Sequence, residues 1–123
     1  MPKGKLSQLV DADRMHEAAD LLRTYRDWLG AENVFVELQH NLVYGDSKRI
    51  HRLVRLAEQE GLGYVATGNV HYHVPERHRL QDVLVAIHNH TTLDNSHQFR
   101  RPNAQFYLRS PQEMAILVIT RCR

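Results

Sequence analysis

The residues best suited to chemistry are two histidines two positions apart, His71 and His73, in the run Tyr64-Val65-Ala66-Thr67-Gly68-Asn69-Val70-His71-Tyr72-His73. Imidazole is the usual nitrogen ligand for transition metals, and alternate side chains of an extended segment point the same way. Both rings could therefore approach one metal ion. The competing reading has Tyr72 packed inward and both imidazoles hydrogen-bonded to neighbouring loops. No residue is assigned a catalytic role.

Other constellations are less directed. His88-Asn89-His90 has the letters of an HNH nuclease, but that chemistry needs a ββα-metal frame. Here the letters fall at the end of a helical pattern, where positive charge complements the helix dipole. Three basic groups could meet phosphates: Lys48, Arg49, His51, Arg52 and Arg55; then Arg77, His78 and Arg79; then Arg100 and Arg101. Glu58, Glu60, Glu76 and Asp82 lie among them, so a solvated helix face is the competing reading. Glu37 has no second carboxylate to work with. Walker loop, Rossmann glycines, nucleophile elbow and His-Glu-x-x-His are all absent.

The histidine pair needs a strand and a turn to present it. Tyr64 to Thr67 is β-rich and is followed by Gly68, and reactive residues of α/β proteins sit just beyond the carboxyl ends of strands. An earlier strand is expected over Val34 to Leu38, with Phe35 making its second face apolar, hence a strand covered on both sides. Between them Ile50, Leu53, Val54 and Ala57 share one helical face from about Ser47 to a stop at Gly61. Strand, helix and strand form one βαβ unit, which requires parallel pairing.

Flanking helices complete the pattern. Met15, Ala18, Ala19, Leu22 and Leu29 form a stripe from Asp13 to Gly30, with Asp11 or Asp13 as N-cap. Pro75 suits the start of another helix, whose inward face is Leu80, Val83, Leu84 and Ile87. After the long polar connection Thr91 to Phe106, Ser110-Pro111-Gln112-Glu113 supplies a capping box for a last helix. Residues 1–12 lack periodicity and are expected to be a disordered, frayed start.

With 123 residues, 42% hydrophobic and 24% charged, the composition fits a globular chain of one domain or a piece of one. A net charge of +2 does not by itself imply nucleic acid, and the single Cys122 excludes an internal disulfide framework. No apolar run approaches the roughly 20 residues of a membrane span, so no membrane partner and a cytoplasmic location are expected. Two strands cannot make a stable parallel sheet covered on both faces. The chain therefore reads as part of a larger α/β domain, or as one that associates through unpaired strand edges as a homo-oligomer.

Several stretches together resemble one family, the PHP (polymerase and histidinol phosphatase) domain of bacterial family C DNA polymerases, the DNA polymerase III alpha subunit type. They are Val36-Glu37-Leu38-Gln39, Leu56-Ala57-Glu58-Gln59-Glu60-Gly61-Leu62, Tyr64 to Tyr72, Leu80 to Ile87, Thr92-Leu93-Asp94 and Phe106 to Met114. They occur in the family's order, and the run from His71 through Arg79-Leu80-Gln81-Asp82 looks closest to the error-prone branch. The resemblance implies the later part of a (β/α)7 barrel, with residues 13–118 a partial PHP domain and 119–123 a tail outside the pattern.

It also implies that a complete domain hydrolyses phosphoesters with zinc, manganese or magnesium. His71 would be one ligand, and His73 and Asn69 the neighbouring candidates. The family's motif has an aspartate where this chain has Asn69, and a neutral amide binds a divalent cation more weakly. The parent would be a DNA-directed DNA polymerase, a nucleotidyltransferase of replication or error-prone repair. The implied partners are the rest of that polymerase chain and, through it, DNA, with Arg100 and Arg101 the candidate contacts. A metal-free structural module, a free-standing PHP phosphoesterase and a small nucleic-acid-binding protein stay open as alternatives.

Overall fold

A computed structural model describes residues 4–121. It has seven named elements in the order α1 (Lys5–Asp11), α2 (Met15–Leu29), β1 (Phe35–Gln39), α3 (Asp46–Glu60), β2 (Gly63–Thr67), α4 (His78–His88) and α5 (Pro111–Arg121). β1 and β2 pair in parallel, Phe35 opposite Gly63 and Gln39 opposite Thr67, so the expected βαβ unit is present. Among the described residues these two strands are the whole sheet. None of the described helices is long and apolar enough to cross a membrane.

The core lies where three helices meet one face of the sheet. Val36 and Leu38 of β1 pack with Ala18, Ala19 and Leu22 of α2 and with Ile50, Leu53, Leu56 and Ala57 of α3, all buried. α3 fits this role because its apolar positions recur every three to four residues. Gly61 ends it at φ 68°, a left-handed cap that costs a side chain about 1 kcal/mol or more. Gly30 ends α2 in the same half of backbone space, at φ 86°.

Much of the start expected to be frayed is helical, over Lys5–Asp11. Seven residues cannot hold a helix by hydrogen bonding alone, so α1 depends on packing. Leu9 and Val10 are buried in the core and Leu6 packs against them. The stripe Leu6, Leu9, Val10 is too short to register as a period. Met1 to Lys3 lie outside the described residues. Asp11 and Asp13, expected as N-caps, instead hold α1 to α3. Asp11 receives the Arg49 guanidinium through two bonds of 2.7 and 3.0 Å, and Asp13 pairs with Arg52 at 2.8 Å. α2 begins two residues later, after Arg14, with no side-chain cap.

Two expectations about burial fail for one reason. β1 is covered on one face: Val36 and Leu38 are buried, whereas Phe35 is 60% exposed. On α4, Leu80, Val83, Leu84 and Ile87 are all exposed and only Ala86 is buried. Periodicity identifies an apolar face, but it does not supply the element that covers it. The supposed tail is also helical in part, since α5 runs through Arg121, leaving Cys122 and Arg123 outside the described residues. Its capping box forms as expected: Ser110 N–H donates to Glu113 Oε2 at 2.8 Å and Glu113 N–H donates to Ser110 Oγ at 3.2 Å.

Candidate functional site

The loops that follow β1 and β2 are stitched together. At the end of β1 the chain enters His40 and Asn41, both buried. With its nitrogen turned toward the carbonyls, the Asn41 amide donates to His40 O at 3.3 Å and to Gly68 O at 3.2 Å, linking one loop to the other. The distant segment joins them, for the Asn103 amide donates to Asn41 O at 2.8 Å.

The β1 loop is closed by the first residue of α3. Asp46 Oδ2 accepts from the backbone of Asn41 at 2.9 Å and Val43 at 3.2 Å, while Arg49 bonds its other oxygen. His40 Nε2 lies 3.0 Å from Ser47 Oγ, with Asp46 4.0 Å from Nδ1. Serine, histidine and aspartate are thus adjacent, but Nδ1 accepts the Leu42 N–H at 3.2 Å. The proton must then sit on Nε2, which donates to Ser47, so the serine has no general base. This cluster clasps a loop. Sequence reading passed over it; its one signal is Asp46 at the start of a helix after Gly45, where unpaired backbone N–H groups collect.

The β2 loop carries His71. Its backbone N–H donates to Phe106 O at 2.8 Å, and Leu108 N–H donates to Tyr72 O at 3.1 Å, so residues 106–108 lie alongside 71–72 in a short parallel bridge. That pairing turns Tyr72 inward, where it is buried, as the competing reading had it. The His71 ring meets the Phe106 ring edge to face, centroids 6.2 Å apart, and its Nε2 accepts a hydrogen bond from the Arg101 guanidinium. Arg101 in turn lies over Phe106, 4.8 Å from the ring centroid. Burial, and then the adjacent Arg101 charge, hold the His71 pKa below its ordinary value.

The sequence candidates divide on this geometry. His71 and Arg101 are brought into contact, and Arg101 and Asn69 both border, with Asn41, Asp46, Arg49 and Phe106, a cleft of about 620 Å³. His73 is exposed and, among the described residues, makes no hydrogen bond or ring contact with His71. Arg100 turns away, its Nε donating to Ser96 Oγ at 2.8 Å and a terminal nitrogen to Leu93 O. Glu37 stands on the open sheet face, accepting from Thr67 at 2.6 Å and Gln39 at 3.0 Å.

These residues do not fit a metal. Among the described residues no three His, Cys, Asp or Glu side chains are grouped to hold one. The Nε2 lone pair that His71 would offer is engaged by a cation, and Asn69 offers only a neutral amide.

No family profile matches the sequence. Individual proteins do. The error-prone DNA polymerase of Brucella abortus is 42% identical over 72 residues, 58% of this chain and 7% of that protein. That of Caulobacter vibrioides is 35% identical over 92 residues, 75% of this chain and 8% of the other. The DNA polymerase III subunit alpha of Treponema pallidum is 32% identical over 114 residues, 93% of this chain and 10% of the other. The chain spans a tenth or less of the length of these relatives. By sequence, it is related to a segment of the bacterial alpha-type DNA polymerases, error-prone polymerases and polymerase III alpha subunits alike.

Proposed function

We propose that the chain is the later part of a PHP-type barrel of an alpha-type DNA polymerase, and that it serves there as structure rather than as a hydrolase. The observation that carries this reading is the stitched pair of loops at the carboxyl ends of two parallel strands, joined by Asn41, Gly68 and Asn103. A (β/α) barrel builds its functional face from loops in this position. The rest of the polymerase chain is the proposed partner. The open sheet face around Phe35 and Val65, and the exposed α4 face of Leu80, Leu84 and Ile87, suit packing against further strands and helices. Contact with DNA would come through that larger protein. Zinc, manganese or magnesium, if the complete domain takes them, would be held by residues outside this chain, since these do not fit them.

Two assays test the reading. Exchanging this chain for the matching segment of the Caulobacter polymerase should give a folded protein that still extends a primer; an insoluble or inactive chimera, with a matched segment from the Brucella relative tolerated, would refute the polymerase assignment. Hydrolysis of bis(p-nitrophenyl) phosphate with manganese or zinc should not exceed the buffer rate. A rate lost in His71→Ala would overturn the structural role.

A further inference from the structure

We infer that the Arg101 guanidinium, seated by His71 Nε2 and by the face of Phe106, forms a metal-independent binding site for a phosphate-type oxyanion, with His71 as its positioning residue. The inference rests on the functional reading above only for the expectation that phosphate chemistry occurs at this face; the site itself stands on its geometry.

The guanidinium is fixed in two directions at once. His71 accepts one of its N–H bonds, and the Phe106 ring lies beneath it at 4.8 Å. His71 and Phe106 are in turn fixed to each other by the backbone bond between them, 2.8 Å long, and by their edge-to-face contact. Arginine has five N–H donors, so most remain for a ligand, in the planar fork that matches phosphate or carboxylate oxygens. A guanidinium this well seated gives up little further rotamer freedom on binding.

Among the described residues no carboxylate pairs with Arg101. The two carboxylates that border the same cleft are engaged elsewhere: Glu37 by Thr67 and Gln39, and Asp46 by two backbone N–H groups and Arg49. Arg49 is itself paired with Asp11. Among the described residues that border the cleft, Arg101 is the cation with no carboxylate partner. Asn69, which borders the same cleft, has a side-chain amide that makes no hydrogen bond among the described residues. Its left-handed backbone, φ 47°, suits asparagine.

The test uses the 123-residue chain, labelled with ¹⁵N, and follows the Arg101 Nε–H and His71 ring signals by NMR. Inorganic phosphate should move both signals to saturation in the low millimolar range. Arg101→Gln should abolish this, His71→Gln should weaken it at least fivefold, and Arg101→Lys should recover only part of it, because an ammonium lacks the fork. Unchanged amide signals of Val36 and Leu38 certify that each variant is folded. An oligothymidylate arm separates sources: a shift at lower concentration than with phosphate assigns a phosphodiester backbone, whereas a shift with phosphate alone assigns a free phosphate group. The proposal is overturned if phosphate at 50-fold the expected range, on the order of 0.1 M, leaves Arg101 unmoved. It is equally overturned if stoichiometric zinc displaces Arg101 and shifts His71. Phosphate binding in a chain whose polymerase chimera fails would leave this site standing while removing the functional reading.

Discussion

Truncating Val10 to alanine asks whether the N-terminal helix belongs to the fold. Val10 is fully buried, and α1 is too short to persist without its packing. The substitution removes two methyl groups from a closed core. Transfer accounts for about 1.5 kcal/mol, and an incompletely collapsed cavity raises the loss to about 2 kcal/mol. For a chain of this size a urea slope of roughly 1.5 kcal/mol/M would lower the unfolding midpoint by a little more than about 1 M. The assay is urea unfolding followed by far-ultraviolet circular dichroism. Lys5→Ala, at an exposed position of the same helix, is the control and should stay within about 0.5 kcal/mol. If the two variants unfold at the same midpoint, α1 is not part of the cooperative unit and the reasoning fails.

Three further outcomes are expected. The His71 ring should titrate below 6.5, and Arg101→Gln should move its midpoint part of the way back, since burial is the larger cause. With the folded value depressed, the unfolded chain takes the proton first; this contribution to stability is complete above pH 6.5 and is lost as pH falls toward the folded value, so a His71 midpoint at or above 6.5 by NMR would contradict the site geometry. Ser110→Ala removes one half of a reciprocal cap and should cost about 1 kcal/mol, visible as faster amide exchange in the first turn of α5. Gly61→Ala should cost about 1 kcal/mol in thermal unfolding, because the left-handed cap at φ 68° penalises a Cβ.

What could be read from the sequence was whatever depends on neighbours along the chain. Ile50, Leu53 and Ala57 mark one face of α3, Gly30 and Gly61 mark helix ends, and Ser110 with Glu113 marks a cap; each signal is complete within a few residues. Parallel pairing of β1 and β2 followed because a helix lies between them. The misses share the opposite property. Val10 is buried by α2 and α3, the exposure of Leu84 and Ile87 depends on what packs over α4, and the Asp11–Arg49 pair spans 38 positions. At the site, His71 and Arg101 could each be named from residue type, and Asn69 only from the resemblance. That Arg101 rather than His73 meets His71 depends on the bridge between residues 71–72 and 106–108, which no local pattern announces.

The parallel sheet also constrains how the molecule comes into being. Strands joined by a tight turn can zip up from that turn, but β1 and β2 place Phe35 opposite Gly63 with all of α3 between them. Their ladder closes a long loop before its first bond forms, which is slow unless the intervening chain has already shortened itself. A helix of 15 residues does this, rising only about 1.5 Å per residue and bringing the two strand ends back into reach. The apolar face of α3 then serves as the template on which Val36 and Leu38 settle. Destabilising α3 by Ala57→Gly should therefore slow refolding, whereas loosening the late 106–108 bridge should chiefly hasten unfolding.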